Sequence, residues 1–197
     1  MNHKEALISD YIERSIQTKK EVKKTRVEVI VRIADVIVDA YRQGKKVVWF
    51  GNGGSAADAQ HLACELVSKF YLERKALPSI ALTTNTSALT AIANDCDFNQ
   101  IFARQVEALV NPGDVVIGIS TSGNSPNVIE GIKKAKHLGA VTIAFTGATG
   151  GKLKGNVDFL LDVPSEITPH IQESHIMIGH VICYLVEKEL FGDKNEK

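Results

Sequence analysis

Cysteine is scarce in this chain: Cys64, Cys96 and Cys183 are the only three in 197 residues. An odd number, set in apolar or helical surroundings without C-x-x-C or finger spacing, argues against a disulfide scaffold and fits a reducing compartment. Net charge is absent too, because 23 basic residues balance 23 acidic ones. No global field therefore draws the chain to nucleic acid or to an anionic membrane, and any anion has to be held by a local site. No apolar run approaches the roughly 18 residues of a membrane span. The opening Met1-Asn2-His3-Lys4-Glu5 puts charge where a secretory signal needs an apolar core. A cytoplasmic protein is expected, with no membrane and no nucleic-acid partner.

What is present reads as one α/β domain. With 44% hydrophobic residues, the chain is long enough for one well-buried core and short for two. The first stretch, to about Lys24, places Leu7, Ile8, Tyr11, Ile12 and Ile16 near one helical face, a stripe that needs cover from its own domain or from a second subunit. A second helix, about Val27 to Arg42, leads into Val47-Val48-Trp49-Phe50, the continuous apolar run of a strand buried on both faces. Pro78 to Leu82, Val115 to Ile119, Val141 to Phe145 and Phe159 to Val163 repeat that pattern. Helices are predicted to start near Ser55, Ser87, Ser125 and Gly151, and a last one runs from about Gln172 to Leu190. The expected fold is a doubly wound parallel-sheet sandwich over 44–191, with N-terminal helices over 1–43 and a charged tail over 192–197.

In open parallel sheets, ligands bind beyond the carboxyl ends of the strands, so the loops leaving the strands are informative. Two stand out, Gly51-Asn52-Gly53-Gly54-Ser55 and Ser120-Thr121-Ser122-Gly123-Asn124-Ser125-Pro126. Glycines let backbone N–H groups approach an anion, hydroxyls add donors, and the following helix turns its positive end to the ligand. Ser125 followed by Pro126 reads as an N-cap with proline at the first helical position. The four hydroxyls of the second loop exceed what a turn requires. No Gly-Lys-Ser/Thr signature and no G-x-G-x-x-G spacing with a ribose-binding acid is present, which favours a monophosphate over a nucleotide.

On the helix after the first loop, His61 and Glu65 are four residues apart, about 40° around the axis, and can meet one metal ion or one substrate. The final helix offers Gln172, Glu173, His175 and His180, and its geometry does not choose among them: Glu173 and His180 nearly align, whereas Gln172 and His180 diverge by about 80°. His175 and His137 are read as satisfied core residues.

The stretch Gly51 to His61 followed by Glu65, then Ala93-Asn94-Asp95, then Gly118 to Ser125, then Ile171-Gln172-Glu173-Ser174-His175 with His180, resembles the phosphoheptose isomerase branch of the sugar-isomerase domain family in order and spacing, over almost the whole chain. The resemblance implies an isomerase that converts D-sedoheptulose 7-phosphate to D-glycero-D-manno-heptose 7-phosphate, the entry step to activated bacterial heptoses. It also implies a homotetramer with active sites between subunits and one zinc ion per subunit. Carried over, the zinc ligands would be His61, Glu65, Gln172 and His180. The substrate would lie against Asn52, Gly53, Gly54, Ser55, Asn94, Asp95, Ser120, Thr121, Ser122, Ser125 and Gln172. Aldose–ketose isomerisation needs a base and an acid acting through an enediol, and Glu65 and His180 are assigned those roles. Many relatives carry an arginine just before the Ile-Gln-Glu stretch, where this chain has His170. The main alternative is a non-enzymatic relative that binds the replication initiator. It resembles the enzyme without the carboxylate at 65 and the imidazole at 180, both present here.

Overall fold

The computed structural model describes residues 2–192, so most of the predicted charged tail lies outside the described residues. Two helices, α1 (His3–Thr25) and α2 (Val27–Arg42), precede β1 (Val47–Gly51). Then come α3 (Gly54–Val67), β2 (Ser79–Ala81), α4 (Thr86–Asp95), α5 (Ile101–Leu109), β3 (Val115–Ile119), α6 (Pro126–His137), β4 (Val141–Thr146), β5 (Phe159–Asp162) and α7 (Thr168–Phe191). The strands form one parallel sheet in the order β2-β1-β3-β4-β5, with Gly51 in register with Ile119. The chain thus reverses direction across the sheet between β1 and β3, the switch point at which doubly wound folds open a ligand crevice.

Alternation along each strand builds two cores. Val47 and Trp49 face α2, α3 and α7, whereas Val48 and Phe50 face α5 and α6. All four are fully buried, as strands covered on both faces require. Each such large side chain contributes roughly 1.5–3 kcal/mol of transfer free energy. Trp49 keeps its indole N–H satisfied by donating to Ser79 Oγ at 3.0 Å.

Three details depart from the sequence reading. The helix expected at Gly151 is only a three-residue 3₁₀ turn, Gly151–Leu153, because Gly150 and Gly151 both take positive φ and Leu153 is drawn under the β3 loop by donating its N–H to Gly123 O. The last helix begins at Thr168, four residues early, since Pro169 suits a first helical turn. On α1, Ser15, Thr18 and Val22 are the buried residues. The stripe of Leu7, Ile8, Tyr11, Ile12 and Ile16 stays between 40% and 60% exposed, so its own domain does not cover it. Among the described residues no helix is long and apolar enough to cross a membrane.

Candidate active site

Both glycine- and hydroxyl-rich loops border the switch point. Gly53 takes φ +56° and ψ −123°, a conformation that only glycine adopts without strain, and this lets α3 start directly at Gly54. Asn52 and Asn127 exchange two amide hydrogen bonds, 2.8 and 2.9 Å, across the crevice. The pair ties the β1 loop to the first turn of α6, so the Asn52 side chain holds the two loops together. Nothing local to Asn127 in the sequence signals this role.

In the second loop, Ser120 Oγ and Ser125 Oγ lie 2.9 Å apart, and Ser122 Oγ accepts from the Asn124 N–H at 3.1 Å. Ser125 is the N-cap residue of α6, with Pro126 inside it, but its hydroxyl bonds Ser120 instead of the helix. Thr121 and Ser122 open onto a cleft of about 240 Å³ whose far wall includes Thr149, Ser165 and Thr168. Ser55, at the start of α3, is buried.

The helix α3 carries His61 and Glu65 from the crevice toward α7. His61 Nε2 lies 3.2 Å from Glu65 Oε1 and 2.9 Å from His180 Nε2, and one ligand atom from each residue falls within 4.8 Å of the others. A tetrahedron of bonds about 2.1 Å long has edges of about 3.4 Å, so two imidazoles and a carboxylate at these separations fit a single zinc ion. Gln172, one turn inside α7, packs instead over the start of α3. A Cβ on Gly54 would stand 2.7 Å from its amide nitrogen, so the glycine clears the space that Gln172 fills. Gly179 plays the same part beside His180: a Cβ there would meet Leu62 at 2.5 Å, and its absence lets α3 and α7 touch. A glycine inside an apolar helical run is a legible sign of close approach.

Asn94 and Asp95 sit at the exposed end of α4, where the Asn94 amide donates to Asp95 at 2.8 Å. Among the described residues no hydrogen bond joins them to the rest of the site. His175 is a core residue as expected: fully buried, with Nε2 3.0 Å from the Thr146 carbonyl. Burial pushes its imidazole down to about 4, against the opposing pull of that hydrogen bond. His137 is not a core residue, because it ends α6 and is exposed. Asp58, one turn before His61, has a buried oxygen without a partner, and burial pushes its carboxyl up to about 6 while His61 pulls the other way. His170 is buried with neither ring nitrogen hydrogen-bonded, and its Nδ1 lies 3.7 Å from Glu173 Oε2.

Known proteins match this chain over most of its length. Residues 10–147 match the SIS domain family. A phosphoheptose isomerase of Clostridium acetobutylicum is 57% identical over 95% of this chain and 96% of its own. The chain belongs to the phosphoheptose isomerase branch of the SIS domain family. The phosphoheptose isomerase of Aquifex aeolicus is 56% identical over 90% of this chain and 95% of its own. Among solved structures, phosphoheptose isomerase from Francisella tularensis superimposes with a TM-score of 0.92 at 38% identity, covering 95% of this chain and all 100% of that one. The enzyme from Neisseria gonorrhoeae gives 0.89 at 43%, covering 93% and 98%. These two phosphoheptose isomerase structures share the parallel five-stranded frame on which the crevice is built.

Proposed function

We propose that this chain is a sugar-phosphate aldose–ketose isomerase that converts D-sedoheptulose 7-phosphate to D-glycero-D-manno-heptose 7-phosphate. The observation that carries the reading is the meeting of Glu65 and His180, with His61, on the helix that leaves the first phosphate-type loop and on the final helix. Backbone N–H groups of 52–55 and the hydroxyls of Ser120, Thr121, Ser122 and Ser125 hold the phosphate at the positive ends of α3 and α6. Glu65 takes a proton from C1 of the ketose and returns it to C2. His180 moves the hydroxyl proton between O1 and O2, so the sugar passes through an enediol and no atom is gained or lost. Each group contributes about 10²- to 10⁴-fold by general acid–base action.

His61, Glu65, Gln172 and His180 are the residues that would hold zinc. Bound there, the ion supplies Lewis-acid polarisation of the sugar oxygens. A Gln amide is a weak ligand, so the ion is held loosely. The working assembly is a cytoplasmic homotetramer of single-domain chains with active sites between subunits. Two features support this part of the reading: the uncovered stripe on α1 and the exposed Asn94–Asp95 pair, each of which a second copy would cover. The product feeds the synthesis of nucleotide-activated heptose.

The test is aldose formation from sedoheptulose 7-phosphate by purified zinc-loaded protein, run beside Glu65→Gln, a chelated sample and fructose 6-phosphate as competing substrate. Turnover of the heptulose that vanishes in Glu65→Gln is the expected result. No turnover of either sugar removes the isomerase reading and puts the non-enzymatic scaffold in its place.

A further inference from the structure

Two turns beyond His180 on α7, Glu187 is a buried carboxylate with four hydrogen bonds. Its oxygens accept from the backbone N–H groups of Phe70 (2.9 Å), Tyr71 (2.6 Å) and Leu72 (2.8 Å) and from Arg74 Nε (2.7 Å). The Arg74 and Glu187 side chains are 1% and 2% exposed. The rest of the Arg74 guanidinium turns to the end of α3. Nη2 donates to the Glu65 carbonyl and Nη1 to the Leu66 carbonyl, both at 2.9 Å, and Nη1 also reaches Lys75 O at 3.1 Å. Burial raises the Glu187 carboxyl, but the three amides and Arg74 outweigh it and hold the group below the usual carboxylate range.

A buried ion pair is weak evidence of stability, because desolvation offsets much of its attraction. Its geometry carries more information. The last carbonyls of α3 lack helical partners, and the arginine caps the very turn whose side chain is the proposed base. Phe70, whose backbone N–H is held by Glu187, has its ring 5.7 Å from the His180 imidazole. Gly179 against Leu62 sets the distance between α3 and α7 at one point, and the Arg74–Glu187 pair ties them at a second, two turns along. Two fixed points determine how far and at what rotation His61 and Glu65 face His180.

We propose that Arg74 and Glu187 are positioning residues of the isomerase site, clamping α3 to α7 so that Glu65 and His180 stand at working distance. The proposal rests on the isomerase reading above. Arg74→Lys tests it, since lysine keeps a cation for Glu187 but loses the planar fork that spans to the Glu65 and Leu66 carbonyls. Glu187→Gln is the companion variant, matching the shape while setting an amide N–H₂ among the donors. At a temperature where circular dichroism shows each variant folded, kcat is expected to fall about 10- to 100-fold with KM changed less than about threefold.

A second readout needs neither substrate nor metal. The imidazole ¹⁵N shifts of His61 and His180 should move in the variants, while those of His175, buried on the same helix, stay in place. Wild-type kcat with unmoved His61 and His180 shifts in folded Arg74→Lys would overturn the clamp, even if Glu187→Gln fails to fold. If the wild-type chain turns over no sugar phosphate, the isomerase reading falls separately, and the imidazole shifts alone then decide whether the clamp positions these groups.

Discussion

The helix α7 meets α3 and α1 in opposite ways. Against α3 the contact is close: Gly179 on Leu62, then the buried Arg74–Glu187 pair, with His180 facing the more open His61 and Glu65 between them. Against α1 it is polar and half open. Glu173 accepts from the Tyr11 hydroxyl at 3.3 Å, from Ser15 Oγ and from Lys19 at 3.3 Å. The hydrogen bond from Ser15 outweighs burial and, with Lys19 and Tyr11, keeps the Glu173 carboxyl below its ordinary value. One contact ties two helices that carry a reacting site, where geometry decides rate. The other holds a helix in place while its apolar stripe faces outward.

The largest effect that would sharpen this contrast comes from His175, on the sheet-facing side of α7. Its folded value of about 4 lies below the ordinary 6.5, so between those pH values the unfolded chain binds a proton that the folded chain refuses. Stability therefore falls as pH drops from 6.5 toward 4, by on the order of 3 kcal/mol from this group. His175→Gln should flatten that limb in urea melts recorded at pH 7 and pH 4.5. If the limb is unchanged, His175 is not the group that titrates.

Next comes the α3–α7 contact itself. Gly179→Ala forces a methyl into Leu62 and should cost about 1–3 kcal/mol in thermal or urea unfolding, and kcat should fall with it. A variant as stable and active as the parent would mean that the two helices have room to spare. On the α1 side, Ser15→Ala removes one hydrogen bond to a half-exposed carboxylate and should cost only about 0.5–1.5 kcal/mol, with kcat unchanged in the intact assembly. Smallest in folding energy is the stripe: Ile8→Ser with Ile12→Ser should shift protomer stability by no more than about 0.5 kcal/mol. Light scattering should nonetheless show a smaller particle, and an unchanged mass would remove the stripe from the subunit interface.

Much of the frame was legible because periodicity reports burial directly. The runs Val47–Phe50 and Val115–Ile119 read as strands covered on both faces, and Ser125-Pro126 marks a helix start within one residue. Errors arose where local pattern competed with glycine geometry, as at Gly151, or where no local signal existed, as at His137. Within the site, the spacing of His61 and Glu65 on one helix was enough to pair them. Spacing could not choose His180 over His175, since both ride an apolar helix; what separates them is that one faces Thr146 in the core and the other faces α3.

The amino-acid sequence by itself determined the parallel α/β order, the two anion-type loops and the His61–Glu65 pair, because each depends on residues a few positions apart. Only the tertiary structure decided that Asn52 bonds Asn127, that Gln172 fills the space beside Gly54, and that Arg74 finds Glu187 from 113 residues away. Those partners are distant in the chain. Their meeting depends on how two helices cross over a twisted sheet, a geometry set by the summed packing of the whole core, which no short stretch of sequence encodes.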